Sequence, residues 1–236
     1  MSSNSEYTLL YWPGEFVRLA FEYAKHPYNQ DLKPENFMKY IKDPSSTPAG
    51  APHAFAPPML HHKGSLISQT PNILLYLGDE LKLNGSQPMD KFYVNELTLT
   101  VLDLNNEIHD THHPISVALY YEDQLEESKK KAKDVRENRI PKFFDYFNNV
   151  LKSNGSGYLV GNAVTYADLA LFQVVDGIQF AFPNCMKRIE KEGKYAEVFK
   201  LKKTIENTPQ IAEYLQSEKR QKYSMGVFRH YPELDE

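Results

Sequence analysis

The chain has 236 residues, with 27 basic and 31 acidic side chains and a formal net charge of −4. That length suits one large or two small domains, and it is enough to bury an apolar core without disulfides. Interspersed charges of both signs argue against a nucleic-acid-binding surface, and no apolar run is long enough to span a membrane. The single cysteine, Cys185, excludes an intramolecular disulfide and indicates a reducing compartment.

The chain begins with a strand followed by a helix. Residues 7–12 are aromatic and β-branched enough to predict a short strand, which Pro13 ends. Residues 15–24 repeat apolar side chains at helical spacing, so this part of the chain predicts the opening of a βαβ unit. Arg18 is expected in an ion pair on the surface of that helix.

The next stretch has a weaker pattern. Residues 34–41 predict a short helix. Residues 43–57 are rich in proline, serine, alanine and glycine, and they predict a mobile surface loop.

The segment that begins at Pro58 carries the most specific local pattern. Because proline cannot donate to a sheet ladder, Pro58 directly before an apolar strand indicates an unusual backbone geometry, and we predict a cis peptide. After a tight hairpin turn, Thr70 and Pro71 predict a helix with a hydroxyl N-cap and proline at the first helical position. The N–H groups at the start of that helix would face whatever lies beside Met59, which makes this a seat for a carboxylate.

The second half of the chain predicts helices and no strand. A cluster of turn formers at residues 84–88 marks a domain boundary. Thr165 and Asp168 have the spacing of a capping box, with Val164 and Leu169 placed for a hydrophobic staple. The predicted helices cover about 90–112, 115–152 with a break, 165–181, 193–206 and 209–221.

Together the two motifs resemble the cytosolic glutathione transferases, in particular the members that use a tyrosine. The resemblance rests on the proline-led strand, the hairpin and Gln69-Thr70 at a helix start, and on Thr165-x-x-Asp168 following Gly161. It covers nearly the whole chain. It implies a fold of the α/β plus all-α class, with a thioredoxin-like domain followed by an all-helical bundle. The corresponding boundaries are 1–84 for the glutathione-binding domain and 90–236 for the helical domain.

The resemblance also implies a glutathione site. Pro58 would be the cis-proline, and Met59 would pair its backbone with the cysteinyl part of glutathione, a small case of strand addition. Gln69 and Thr70 would hold the γ-glutamyl end. Asp103 matches the carboxylate that reaches the amino group of glutathione across a dimer.

Tyr11 is the expected catalytic residue. A thiolate is the reactive form of glutathione, so an enzyme must stabilise the sulfur anion, and a phenol hydroxyl aimed at the sulfur does so. The resemblance places that phenol at the end of the first strand, where Tyr11 stands, with Tyr7 as the fallback. The loop from Tyr11 to Glu15 is shorter than is common in the family.

By the same resemblance, the pocket for the second substrate includes Trp12, Asp110 and His113. The histidines His109, His112 and His113 share one helix face. A zinc site needs a closed ligand set with outer-shell support, and we expect no metal here.

The implied function is the conjugation of glutathione, as cosubstrate, to small hydrophobic electrophiles in detoxification. The implied assembly is a cytoplasmic homodimer that binds neither nucleic acid nor membrane. Two alternatives stay open: a glutathione-dependent isomerase, and a non-catalytic protein that keeps the fold for ligand binding or assembly. Cys185 lies far from the strand–helix junction, so thiol-transfer chemistry is not expected.

Overall fold

The structure, a computed structural model, describes residues 5–11 and 14–236, and the chain divides into two units. The first unit runs to Asn84 and also takes in Thr208–Gln221, whereas the second consists of Gly85–Asn207 and Lys222–Glu236. The predicted domain bounds, 1–84 and 90–236, stay predictions. Residues 208–221 group with the first unit and not with the helices on either side of them in the sequence.

A four-stranded mixed sheet lies at the centre of the first unit. Its strands are β1 (Tyr7–Leu10), β2 (Asn29–Asp31), β3 (Met59–His62) and β4 (Ser65–Ser68), in the order β2-β1-β3-β4. β1 is parallel to β2 and antiparallel to β3, and β3 is antiparallel to β4. The parallel pair confirms the predicted βαβ opening. β2 was not predicted, because its three residues are polar and show no alternation with apolar ones.

The helices of the described residues are α1 (Glu15–Tyr23), α2 (Pro34–Lys42), α3 (Thr70–Glu80), α4 (Asp90–His109), α5 (Leu125–Asp134), α6 (Ile140–Asn154), α7 (Tyr166–Ala181), α8 (Pro183–Glu192), α9 (Ala196–Glu206) and α10 (Pro209–Gln216). In the first unit, α1 packs between α3 and α10. No helix in the described part of the chain is long and apolar enough to cross a membrane.

The predicted helix over 115–152 is interrupted. Helical structure begins only at Tyr121, and a π-helical segment, Val135–Arg139, separates α5 from α6. Pro141 near the start of α6 has no N–H to offer the preceding turn, which explains a wider turn at this point. The predicted break is therefore present, and the helix starts later than expected.

Helix α7 is the core of the second unit. It is buried on almost every side, and it packs against α4, α8 and α9. A helix that is apolar all round belongs in a protein interior. The C-terminal segment closes over it, because Gly177 is small enough to let the Phe228 ring approach: a Cβ at residue 177 would lie 2.5 Å from that ring.

Candidate functional site

The sheet register brings the ends of three strands together. Leu10 of β1 lies opposite Met59 of β3, and Met59 lies opposite Ser68 of β4. Because β3 is antiparallel to both neighbours, its start and their ends share one edge of the sheet. The first residues beyond this row are Tyr11, Pro58 and Gln69. Pro58 and Gln69 follow Tyr11 by 47 and 58 positions in the sequence, and the sheet makes them its spatial neighbours.

The backbone at this edge is unusual in all three segments. The peptide bond between Pro57 and Pro58 is cis, as predicted. Tyr11 and Gln69 have positive φ angles, 139° and 71°, which non-glycine residues adopt only when their surroundings enforce them. Such conformations concentrate at functional sites, so this edge is the candidate site.

Tyr11 is held by its main chain and its ring. Its N–H donates to the Asp31 carbonyl at 3.2 Å, and its carbonyl accepts from the Arg18 guanidinium at 3.2 Å. The half-buried ring packs edge-on against Phe37, with centroids 5.9 Å apart. Burial raises the pKa of the Tyr11 phenol, so the hydroxyl stays protonated at neutral pH and can donate a hydrogen bond to an anion.

Arg18 is a buried positioning residue, and its predicted place on the helix surface is wrong. The side chain is fully buried; its Nε donates to Gln30 at 2.8 Å and its Nη1 to Glu15 at 3.3 Å. Glu15 also accepts from the Tyr214 hydroxyl, at 2.8 and 2.9 Å, and from Arg220. The i, i+3 pair looked like a surface pair because the residues that cover it follow about 200 positions later, from α10 onward.

We expect Arg18→Met to lower the free energy of unfolding by about 2 kcal/mol, because the Tyr11 carbonyl and the Gln30 side chain lose a charged donor that is itself fully buried. Arg220 continues to pair with Glu15, which limits the loss. The exposed Arg188 provides the matched control, and Arg188→Met is expected to cost less than about 0.5 kcal/mol. Urea denaturation of both variants measures the difference. Equal losses would contradict the structural role of Arg18.

Helix α3 begins one residue earlier than predicted. Gln69 is the N-cap and makes no side-chain capping hydrogen bond, while Thr70 and Pro71 are the first two helical residues. The prediction that the Thr70 hydroxyl caps the helix is therefore wrong, since Thr70 is itself the first helical residue. The main-chain N–H groups of the first turn still lack partners within the helix, and they form a positive end beside Gln69.

Met59 is the first residue of a central strand and is paired on both sides. It is fully buried, with Leu10 opposite it on one side and Ser68 on the other. The main chain that extends beyond the end of β4 belongs to the half-buried Pro57 and Pro58. These residues can only accept hydrogen bonds, because proline has no N–H.

The remaining predicted site residues lie either outside the described residues or in the second unit. Trp12 lies outside the described residues. Asp103, Asp110 and His113 belong to the second unit, where both carboxylates are exposed and His113 is partly buried.

The second sequence motif forms the predicted capping box at the start of α7. The Asp168 carboxylate accepts from the N–H and hydroxyl of Thr165 and from the N–H of Leu159, each at 2.8 Å. Asp168 is completely buried, and burial raises its pKa to about 6 despite these donors. The carboxylate thereby joins the loop before α7 to the helix.

Comparison with known proteins agrees with both motifs. The family model described as the C-terminal domain of glutathione S-transferase matches residues 109–218. A glutathione S-transferase from Plasmodium yoelii yoelii is 27% identical over 218 residues, which cover 89% of this chain and 90% of that protein. Over most of its length the chain is therefore similar to glutathione S-transferases. A probable glutathione S-transferase from Caenorhabditis elegans is 29% identical over 202 residues, covering 83% of this chain and 91% of that protein.

The family fold is also evident from solved structures. A nematode-specific glutathione transferase from Caenorhabditis elegans matches with a TM-score of 0.69 and 25% identity, over 92% of this chain and 99% of that one. The predicted fold class, a thioredoxin-like α/β unit together with a helical unit, is confirmed.

Proposed function

We propose that this chain is a glutathione transferase that conjugates the glutathione thiol to small hydrophobic electrophiles. The observation that carries the proposal is the single sheet edge at which Tyr11, the cis peptide of Pro58 and Gln69 meet beside the start of α3. The relatives named above as glutathione S-transferases support the same activity. No observation favours the isomerase or the non-catalytic alternative.

In this proposal the γ-glutamyl carboxylate of glutathione binds at the N-terminus of α3. The main-chain N–H groups of the first turn and the helix dipole attract a carboxylate there. Gln69 and Thr70 provide the side chains at that end. The Gln69 side chain is exposed, and it is not used to cap the helix.

The cysteinyl part of glutathione then lies against the main chain before β3. We propose that Met59 takes part in this contact through its main chain, together with the carbonyls of Pro57 and Pro58, which precede the paired residues of β3. A cysteinyl N–H donating to one of these carbonyls would hold the sulfur near the end of β1.

Tyr11 would act on that sulfur. The thiol loses its proton to solvent, and the Tyr11 hydroxyl donates a hydrogen bond to the thiolate. The sulfur then forms a bond to the electrophilic carbon, and the leaving group, chloride for a chloronitroarene, departs from that carbon with the electron pair of its bond. Stabilising the anion lowers the thiol pKa, so that more of the bound glutathione is reactive at neutral pH. This chemistry needs no metal.

Further parts of the proposal rest on the family resemblance. They assign Trp12, Asp110 and His113 to the pocket for the electrophile and Asp103 to the amino group of glutathione. They also include a cytoplasmic location, a role in detoxification and a homodimer. An exposed apolar group at the start of α4, formed by Met89, Phe92 and Tyr93, supports an association between subunits.

We expect Gln69→Gly to weaken glutathione binding about tenfold and to change the free energy of unfolding by less than about 1 kcal/mol. Glycine relieves the positive φ of residue 69, and this gain offsets the greater flexibility of the unfolded chain. The affinity falls because the side chain that contacts the γ-glutamyl group is gone. Isothermal titration calorimetry with glutathione measures the affinity.

Lys63→Gly is the matched control, since Lys63 also has a positive φ, 49°, at the hairpin turn between β3 and β4. It should show the same small change in stability and unchanged glutathione binding. If wild-type protein releases no heat with millimolar glutathione, the proposed function is wrong. If both variants bind as the wild type does, Gln69 has no part in the site.

A further inference from the structure

Three histidines cluster where α4 ends. His109 is the last residue of α4, and His112 and His113 lie in the turn that follows. One ring nitrogen from each residue lies within 4.8 Å of the others, and the ring centroids are 4.9–5.2 Å apart. The sequence indicates only a shared helix face, whereas the structure shows three potential ligand atoms converging.

His112 has a buried ring nitrogen that could bind a metal ion. The side chain is 1% exposed, and its Nε2 lies 2.8 Å from the Val227 carbonyl. A carbonyl can only accept, so Nε2 carries the proton and Nδ1 carries a lone pair. Nδ1 is buried without a hydrogen-bond partner among the described residues. A buried acceptor left without a partner costs free energy, and a metal ion would satisfy it.

The neighbouring groups suit the outer shell of a metal site. Histidine ligands usually use their second ring nitrogen for a hydrogen bond to a carbonyl or carboxylate, as His112 does with Val227. Nδ1 of His109 lies 3.3 Å from an Asp110 carboxylate oxygen, which leaves Nε2 to bind the metal.

The surroundings of His113 contain groups that favour and oppose a cation. Its Nδ1 lies 3.3 Å from the Gln124 amide nitrogen, and the main-chain carbonyls of Ser116 and Leu119 are also hydrogen-bonding neighbours. The Gln124 amide donates to Nδ1 in this structure; once Nε2 binds a metal, the two carbonyls can instead accept a hydrogen bond from Nδ1–H. Arg229 is the opposing group, because its positive charge acts on both His112 and His113.

We propose that His109, His112 and His113 bind one divalent transition-metal ion, with zinc as the reference and water at the fourth position. Three neutral imidazoles suit zinc, copper and nickel, and an open fourth position is common in three-histidine sites. Zinc–nitrogen bonds of about 2.1 Å require the ring nitrogens to approach to roughly 3.4 Å, so the partly exposed His109 and His113 side chains would move toward the buried His112. The ion would fasten the end of α4 to the C-terminal segment through His112 and Val227.

The test uses the full chain without an affinity tag. Zinc is titrated against a chromogenic chelator, in the wild type and in His109→Gln and His113→Gln. We expect one zinc ion per wild-type chain and about a hundredfold weaker binding in each variant. His53→Gln is the matched control, because His53 is an exposed histidine outside the cluster, and it should bind zinc as the wild type does.

Two further measurements separate a specific site from general histidine binding. Zinc should raise the unfolding temperature of the wild type and of His53→Gln but not of the two cluster variants. Arg229→Gln should bind zinc severalfold more tightly, because a repelling charge is removed. No bound zinc in the wild type, or equal affinity in the cluster variants and the wild type, would overturn the proposal. Neither result bears on glutathione conjugation.

Discussion

Tyr11→Phe is expected to lower kcat/KM for conjugation of glutathione to a chloronitroarene by about a hundredfold. One preorganised hydrogen-bond donor to a developing or bound anion is worth that much. The backbone of Tyr11 is fixed by Asp31 and Arg18 and its ring by Phe37, so the variant keeps its local structure. The dissociation constant for glutathione should therefore stay within about threefold of the wild-type value.

The most direct measurement is the pKa of the bound thiol, followed by thiolate absorbance as a function of pH. Loss of the Tyr11 hydroxyl should raise that pKa, because the anion loses its donor. Tyr7→Phe is the matched control: the Tyr7 hydroxyl already donates to Glu80 at 3.0 Å, and its removal should leave the thiol pKa unchanged. Unchanged turnover in Tyr11→Phe, or an equal effect in the two variants, would exclude the catalytic role of Tyr11.

Deprotonation of Asp168 should lower the free energy of unfolding by about 3 kcal/mol as the pH rises from acid to neutral. Burial raises the pKa of this carboxyl from 3.8 to about 6, so the folded state holds the proton more tightly than the unfolded state does. The contribution to stability is fully present below about pH 4, and it is lost as the pH rises through 6. The two-unit difference in pKa corresponds to about 3 kcal/mol.

Asp168→Asn isolates this contribution, because asparagine does not titrate. Relative to the variant, the wild type should lose unfolding free energy as the pH rises from about 4 to about 7. Above about pH 7 the difference between the two proteins should stay constant. Asp134→Asn, at an exposed aspartate, controls for the general loss of a carboxylate. A difference that stays constant with pH would show that Asp168 is ionised in the folded state throughout this range.

Local sequence signals predicted the parts of the site that depend on nearby residues. The cis peptide before Pro58 and the capping box of Thr165 and Asp168 both follow from residue types within a few positions. The start of α3 was misplaced by one residue, because the positive φ of Gln69 comes from its surroundings and not from its own preference.

The features that the sequence did not predict depend on residues far apart in the chain. The burial of Arg18 depends on Tyr214 and Arg220, far along the chain. The unpartnered nitrogen of His112 depends on Val227, 115 residues away. Helix α8 was overlooked because its charged residues obscure a short apolar stripe that includes Cys185 and Ile189.

The return of residues 208–221 to the first unit has a consequence for synthesis. α1 packs against α10, and Glu15 is bonded to Tyr214 and Arg220. The residues of the sheet and of α1 leave the ribosome long before those partners are synthesised. Until then, Glu15 of the nascent N-terminal segment lacks the hydrogen bond and the ion pair that it makes in the folded protein. We expect this segment to be the part of the polypeptide that chaperones engage during translation.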